Sequence, residues 1–126
     1  MRSLFKSRKR VLLLDDDASM QRLVARILGK DGFRVDVFLT GLQAIDALAK
    51  AHYEVLLLDL MMPHEGGMTV IRHLRMNDPP MLKRSILFTA SPESLIEALS
   101  GEVSTVVQKP FEPQQLIDVV RRMSQS

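Results

Sequence analysis

The stretch that decides the fold is VLLLDDD at residues 11–17, four apolar residues followed at once by three aspartates. A second stretch, VLLLDL at residues 55–60, repeats the arrangement. Continuous short apolar runs of this kind suit strands that are covered on both faces, as in the centre of a parallel sheet. The two stretches therefore predict two central strands, each with an acidic side chain at its carboxyl end.

Three further short apolar runs complete the strand pattern, and segments with helical spacing lie between the runs. This alternation predicts an α/β fold, a (βα)5 doubly wound parallel five-stranded sheet with helices on both faces, of the flavodoxin-like type. The second run alternates polar and apolar side chains, so we place it at an edge and predict the strand order 2-1-3-4-5. The predicted strands cover residues 11–14, 35–38, 55–58, 86–89 and 103–107.

Capping residues predict the limits of the helices. Ser, Thr and Asp side chains accept the free N–H groups of a first turn, Pro fits the first helical position, and Gly suits the left-handed residue past the end. The predicted caps are Asp17 or Ser19 and then Gly32 for the first helix, Thr40 for the second, Ser91-Pro92 and Gly101 for the fourth, and Pro113 for the fifth.

Length and composition exclude several classes of protein. A chain of 126 residues with 46% hydrophobic residues is expected to form one ordinary domain. Because it contains no cysteine, disulfides, thiolate nucleophiles and zinc–thiolate sites are excluded. The longest apolar runs are about four residues, against the ~20 that a bilayer span needs. We therefore expect a cytoplasmic protein with no membrane span.

The net charge of +2 is unevenly placed along the chain. Residues 1–10 contain five of the 17 Lys and Arg residues and no acid, so the remainder is acidic. We interpret residues 1–10 as a basic, flexible arm and residues 11–126 as the folded domain. Basic residues without interleaved aromatics are weak evidence for nucleic-acid contact, and we expect no direct nucleic-acid binding.

Polar side chains follow four of the predicted strands. Asp15 and Asp16 follow the first strand, Asp59 follows the third, Thr89 ends the fourth, and Lys109 follows the fifth. Because the carboxyl ends of parallel strands meet at one edge, these side chains are expected to converge. An acid in such a place is often only a helix cap and a lone lysine is usually a surface residue, but the combination favours a site.

Close carboxylates repel one another, and a hard divalent cation relieves the repulsion. Oxygen ligands without His or Cys favour Mg²⁺. A metal, a lysine and a hydroxyl around one carboxylate make a receptacle for a phosphoryl group, since the cations neutralise its oxygens and the hydroxyl donates a hydrogen bond. A carboxylate nucleophile would then form an acyl phosphate.

Four segments carry a family resemblance: VLLLDDDASMQRLV at 11–24, VLLLDLMMP at 55–63, ILFTAS at 86–91 and QKPF at 108–111. With these segments the chain resembles the receiver domain of two-component response regulators, from residue 11 to about residue 124. The resemblance implies a phosphoacceptor signalling domain that accepts a phosphoryl group and then changes conformation. It implies that the domain is not an enzyme, apart from catalysing its own phosphorylation and slow dephosphorylation.

The resemblance also implies roles for single residues. It implies that Asp59 is the phosphorylated residue, and that Lys109 contacts the phosphoryl group. Mg²⁺ is expected on Asp15, Asp16, Asp59 and the backbone carbonyl of Met61. The switch and loop positions are Thr89, Ala90, Ser91, Val106 and Pro110, with Lys109-Pro110 as a cis peptide bond.

Two positions depart from the family pattern. Val106 stands where the family commonly has Tyr or Phe, so it offers no ring to turn inward when Thr89 moves. Gly66 precedes Gly67 where an Asp is often found, and we interpret the pair as loosening the loop after Pro63. The resemblance implies that Met61 and Ser91 tune hydrolysis of the acyl phosphate, and because Met61 has no side-chain group to position water, we expect slow hydrolysis.

Three other functions compete with this one. A haloacid-dehalogenase-type enzyme would want a second Asp at position 61, where this chain has Met61. A flavin or nucleotide binder would want a phosphate-cradling loop after the first strand, where Asp15, Asp16 and Asp17 would repel a phosphate. The serious rival is an interaction module of the same fold with weak or no phosphorylation-dependent output, and Val106 keeps that interpretation open.

The resemblance implies partners as well. A sensor histidine kinase or a histidine phosphotransfer protein would donate the phosphoryl group. The sequence ends at residue 126, so we expect either a freestanding domain that docks a downstream protein or a fragment whose output domain is missing. A homodimer would use the face made by the fourth helix, fifth strand and fifth helix.

Overall fold

One parallel sheet of five strands organises the molecule, with the strand order β2-β1-β3-β4-β5. The computed structural model describes residues 8–60, 62, 66–90 and 105–125. The predicted fold class and strand order are confirmed. The strands are β1 (Arg10–Leu14), β2 (Arg34–Phe38), β3 (Val55–Leu58), β4 (Ser85–Thr89) and β5 (Thr105–Gln108), and the helices are α1 (Ala18–Lys30), α2 (Gly41–Lys50), α3 (Gly67–Asn77), a 3₁₀ helix (Pro79–Arg84) and α4 (Pro113–Ser124).

The burial of the strands follows their sequence pattern. All four residues of β3 and the last four of β1 are buried, as continuous apolar runs predict for central strands. The strand β2 pairs only with β1 among the strands described, and its residues are exposed or half-buried. The edge position predicted from its alternating pattern is therefore confirmed.

Side chains alternate between the two faces of the sheet and build two cores. One core lies against α1 and α4 and contains Leu13, Leu57 and Phe88. The other lies against α2, α3 and the 3₁₀ helix and contains Leu12 and Leu58, with Val106 packed against it. Both cores end at the same place, the carboxyl edge of the sheet, where the polar residues begin.

Several predicted caps are confirmed. Asp17 caps α1 by accepting from the backbone N–H of Ser19 at 2.8 Å, and Thr40 caps α2. Gly32 has φ of 91°, the left-handed conformation that favours glycine after a helix. Pro113 begins α4, the fifth helix of the sequence prediction. The predicted fourth helix, with Ser91-Pro92 and Gly101, lies outside the described residues, as do residues 103 and 104.

The amino-terminal edge of the sheet corrects one predicted boundary. Arg10 belongs to β1 rather than to the arm, and its guanidinium donates to Asp36 at 2.7 Å. Lys9 donates from Nζ to the backbone carbonyl of Ser124 at 2.8 Å. These two residues are held to the fold by their side chains; residues 1–7 lie outside the described part. Among the helices described, none combines the length and the apolarity that crossing a membrane requires.

Candidate functional site

Asp15 is the first polar residue after β1, and its side chain is fully buried. Its backbone is fixed twice: its N–H donates to the carbonyl of Phe38 at 3.2 Å, and its carbonyl accepts from Gln21 Nε2 at 2.7 Å. One oxygen of its carboxylate also accepts from the backbone N–H of Asp17 at 2.9 Å. The carboxylate is therefore held in one orientation at the carboxyl edge.

Asp59 occupies the equivalent place after β3 and is 5% exposed. Its N–H donates to the carbonyl of Leu14 at 3.1 Å, which continues the pairing of β3 with β1 by one residue. Its own carbonyl accepts from the N–H of Gly67 at 2.8 Å. The start of α3 thus rests directly on the backbone of Asp59.

Gly67 is required for that close approach. A Cβ atom at this position would lie 2.6 Å from the carbonyl oxygen of Asp59, well inside ordinary van der Waals contact. A Cβ at Gly66 would lie 2.9 Å from the Cβ of Met62. The sequence interpretation gave the pair a loosening role in the loop, whose residues 63–65 lie outside the described part. In the structure the glycines serve close packing beneath Asp59.

Lys109 joins the two buried carboxylates. Its Nζ donates to Asp15 Oδ2 at 2.8 Å and to Asp59 Oδ2 at 3.2 Å. Burial disfavours the charged ammonium, but the hydrogen bond to Asp15 and the charges of Asp59 and Asp15 outweigh it, so the pKa of Lys109 is raised above its ordinary value. The lysine is therefore a fixed positive charge at neutral pH.

The backbone of Lys109 continues the pairing of the last two strands. Its backbone N–H donates to the carbonyl of Thr89 at 3.0 Å, extending the pairing of β4 with β5. The bond between Lys109 and Pro110 is cis, as the resemblance implied.

The acidic cluster suits a hard cation. One carboxylate oxygen from each of Asp15, Asp16 and Asp59 lies within 4.8 Å of the others, and Asp16 is the exposed member. All donors are oxygens, and among the described residues two of these three carboxylates share the ammonium of Lys109, so the cluster carries excess negative charge if all are ionised. That donor chemistry fits Mg²⁺. The carbonyl of Met61, the fourth ligand that the resemblance implies, lies outside the described residues.

The other predicted residues occupy three kinds of place. Thr89 is buried at the end of β4, and Ala90 after it is exposed. Val106 lies opposite Leu87 in β5 and is half-buried, and Pro110 is exposed. Ser91 lies outside the described residues. The structure thus brings Asp15, Asp16, Asp59 and Lys109 together and places Thr89 at the neighbouring strand end.

The sequence reasoning missed two residues of the site, Gln21 and Phe88, and gave a third, Gly67, a different role. Gln21 was available as a polar residue on the inward side of α1, and Gly67 as a glycine eight positions after Asp59. Phe88, whose ring lies 4.8 Å from Lys109 Nζ, looked like any strand residue. For Phe88 the sequence carried no signal, because the contact depends on the side-chain conformations of two different strands.

A family model for the response regulator receiver domain matches residues 11–121. The chain therefore belongs to the receiver domain family of response regulators, and its Asp cluster is compatible with the magnesium-binding phosphoacceptor site of that family. The family consists of phosphoacceptor signalling domains rather than enzymes in the usual sense.

Relatives and solved structures agree with this family. The chain is 32% identical over 116 residues to the DNA-binding response regulator MtrA of Mycobacterium tuberculosis (strain H37Rv), covering 90% of this chain and 50% of the relative. It thus spans about half the length of the curated relatives it matches.

Two solved structures show the likeness in three dimensions. The response regulator TrrA of Thermotoga maritima, in complex with Mg²⁺ and BeF, has a TM-score of 0.80 and 25% identity, covering 91% of this chain and 98% of that one. A sensor protein from Polaromonas sp. JS666 has a TM-score of 0.82 and 27% identity, covering 94% and 98%.

Proposed function

We propose that this domain accepts a phosphoryl group on the carboxylate of Asp59 in a Mg²⁺-dependent reaction. The observation that carries the proposal is the arrangement around that carboxylate: Lys109 at 3.2 Å, with Asp15 and Asp16 beside it. A buried carboxylate in this surplus of negative charge would be costly unless cations bind there. The same cations can neutralise the oxygens of an incoming phosphoryl group.

The donor is a phosphohistidine on a sensor kinase or a histidine phosphotransfer protein. An oxygen of Asp59 attacks phosphorus, the new O–P bond forms, and the P–N bond breaks. The electron pair of that bond stays on the imidazole nitrogen, and because the other ring nitrogen of the donor carries a proton, the leaving group is a neutral imidazole. Asp59 is suited to this role because its backbone is fixed by Leu14 on one side and Gly67 on the other.

Asp15, Asp16 and Asp59 would hold Mg²⁺, with the carbonyl of Met61 as a further ligand. When bound, the ion supplies charge neutralisation at the transferring phosphoryl group. Lys109 provides a second positive charge from the end of β5, and the hydroxyl of Thr89 donates a hydrogen bond to the transferred group. Ala90, Ser91, Val106 and Pro110 form the segments that respond.

The output is a change in partner binding. Phosphorylation adds a charge of roughly −1.5 to −2 and three acceptor oxygens at the carboxyl edge of the sheet. Lys109, whose Nζ lies 3.2 Å from Asp59, and Thr89, at the end of the neighbouring strand, would respond to that charge, and their displacement would shift the balance between two conformations. We place the domain, residues 11–126, in the cytoplasm, acting on a downstream protein or on an output domain such as the DNA-binding part of its relatives.

Label transfer from radioactive acetyl phosphate tests the assignment. The parent should incorporate label when Mg²⁺ is present and lose that ability with a chelator. Asp59→Asn should incorporate none while keeping the circular dichroism spectrum of the parent. Asp17→Asn is the matched control, because it removes a neighbouring rim charge outside the cluster and Asn caps helices as well as Asp. Equal labelling of Asp59→Asn and the parent would contradict the proposal.

Val106 favours a second candidate function, an interaction module without phosphorylation-dependent output. Its side chain packs against the core on the α2 and α3 face and has no ring to reorient. Addition of beryllofluoride with Mg²⁺, a mimic of the phosphorylated state, separates the two functions. Shifted amide resonances around Thr89 and beyond it support a phosphorylation-driven switch. Shifts confined to the residues of the acidic cluster support the interaction module.

A further inference from the structure

The ring of Phe88 lies beneath the ammonium of Lys109. The distance from Nζ to the ring centroid is 4.8 Å, inside the ~6 Å over which a cation is attracted to an aromatic face. Phe88 is fully buried in β4, and the side chain of Lys109 is 17% exposed. Because little water reaches the pair, the electrostatic attraction between cation and ring is weakly screened.

The ring limits where the ammonium can go. An ammonium has three N–H donors, and Lys109 directs donors to Asp15 at 2.8 Å and Asp59 at 3.2 Å. The Phe88 ring covers another side of the same group with its negative face. An aliphatic side chain in this place would fill the volume but would exert no such attraction.

Phe88 is itself held in place. Its ring packs against that of Phe111 with centroids 5.1 Å apart and planes tilted by 59°. The residue is also the backbone neighbour of Thr89, whose carbonyl accepts from the N–H of Lys109. One fixed aromatic residue therefore adjoins both polar groups expected to meet the phosphoryl group.

We propose that Phe88 is a positioning residue for phosphoryl transfer to Asp59, because its ring face holds the Lys109 ammonium between Asp15 and Asp59. This inference rests on the proposed function of Asp59. Its specific claim is that the electrons of the ring, and not only its volume, affect the rate of phosphorylation. A residue that merely fills the core would affect stability alone.

A fluorinated series at position 88 separates these two roles. Phenylalanine, 4-fluoro-, 3,5-difluoro- and 3,4,5-trifluorophenylalanine have nearly equal shape but a progressively weaker negative face. The rate constant for labelling by acetyl phosphate in Mg²⁺ should fall stepwise along the series, by about tenfold at the end, since a desolvated cation–π contact is worth enough to produce such a change. Thermal unfolding of each variant checks that the fold is retained.

Phe33 provides the matched control. It is 5% exposed and belongs to the same core, but it lies at the amino-terminal edge of the sheet, far from Lys109. The same fluorinated residues at position 33 should leave the labelling rate unchanged. A labelling rate that stays constant along the Phe88 series, or that falls equally along the Phe33 series, overturns the proposal.

A spectroscopic signature supplies a readout that does not depend on phosphorylation. Lysine protons above a ring face resonate upfield, so the CεH₂ protons of Lys109 should be shifted upfield in the parent and move back in Phe88→Leu. If the parent takes up no label at all, the proposed function fails and the role of Phe88 fails with it. If the parent is labelled but the CεH₂ shift is absent, only the role of Phe88 is wrong.

Discussion

At the amino-terminal edge of the sheet, the carboxylate of Asp36 accepts hydrogen bonds from Arg10, Tyr53 and Arg34 at 2.7, 2.7 and 3.2 Å. At the carboxyl edge, three carboxylates of the described residues lie together, and two of them accept hydrogen bonds from the ammonium of Lys109. Within the described part of the chain, the first edge has more donors than carboxylates, and the second has more carboxylates than cations. Both edges hold charged residues on the same sheet, but only the first is balanced by these residues.

The difference separates a structural role from a functional one. Asp36 needs nothing from outside, because its oxygens are paired and the guanidinium of Arg10 also lies 4.9 Å over the ring of Tyr53. Asp15 and Asp59 are buried as deeply as core residues, yet both direct a carboxylate oxygen to the same lysine. Burial of surplus negative charge lowers the free energy of unfolding unless a cation joins it. An acidic surplus at the point where the strand order reverses therefore indicates a ligand.

Magnesium should stabilise the fold through the carboxyl edge and not through the amino-terminal edge, and this is the largest effect expected. A ligand at a hundred times its dissociation constant, bound to the folded state alone, adds about 2.7 kcal/mol to the free energy of unfolding. We expect this gain for the parent and for Asp36→Asn, and loss of most of it for Asp16→Asn. Urea denaturation with and without Mg²⁺, at matched ionic strength, measures the gain.

Asp16→Asn is the informative variant because the exposed carboxylate can be removed without opening the core. A gain of equal size in Asp16→Asn and the parent would place the ion elsewhere. Loss of the gain in Asp36→Asn would mean that the two edges are coupled, contrary to the comparison.

Two glycines test how tightly each edge is packed. Gly67→Ala would force a Cβ to within 2.6 Å of the Asp59 carbonyl oxygen, and such overpacking costs about 2 kcal/mol. Gly29 lies in the last turn of α1 at the opposite edge, and a Cβ there would meet open space, so Gly29→Ala should add roughly 0.5–1 kcal/mol. Chemical denaturation of both variants measures the free energy of unfolding, which should fall for Gly67→Ala and rise for Gly29→Ala. Gly67→Ala should also slow labelling of Asp59. Unchanged stability together with unchanged labelling would show that α3 can move away from the Asp59 carbonyl without loss of stability, contrary to this prediction.

The carboxyl edge could be predicted from the sequence for a physical reason. A strand covered on both faces must be apolar, so VLLL before Asp15 and before Asp59 marks both the strand and the place where it ends. Parallel strands then bring those ends to one edge, whatever the side-chain details. The positions of Lys109 and Thr89 could be predicted by the same rule, because both lie at the carboxyl ends of strands. The residues that they contact could not be predicted in this way.

The amino-terminal edge could not be predicted in this way. The pairing of Arg10 with Asp36 depends on the register that sets Arg10 opposite Arg34, and Tyr53 enters from a segment 17 residues beyond Asp36. The local composition around Arg10 is basic, which favoured an arm rather than a strand. Contacts of this kind depend on tertiary geometry, and the contact of Phe88 with Lys109 belongs with them.

Protonation of Asp36 in acid should weaken the amino-terminal edge, and this is the smallest of the expected effects. Burial disfavours the charged carboxylate, but the hydrogen bonds from Arg10 and Tyr53 outweigh it, so the pKa of Asp36 lies below its ordinary value of 3.8. A group with a lowered pKa contributes stability above its unfolded-state pKa and loses it as the pH falls through the folded-state value. Asp36→Asn keeps one side-chain oxygen as an acceptor but loses the charge, so it should cost about 1 kcal/mol at pH 7 and less below about pH 4.

Urea denaturation of the parent and Asp36→Asn between pH 7 and pH 3 measures this convergence. Asp46→Asn is the control, because Asp46 pairs with Lys50 on the surface of α2 at 2.9 Å and exposed pairs of this kind contribute little. The gap between the parent and Asp36→Asn should close as the pH falls, whereas the gap for Asp46→Asn should stay small throughout. A gap for Asp36→Asn that widens in acid would reverse the sign argued from its hydrogen bonds, and the amino-terminal edge would then not be the balanced one.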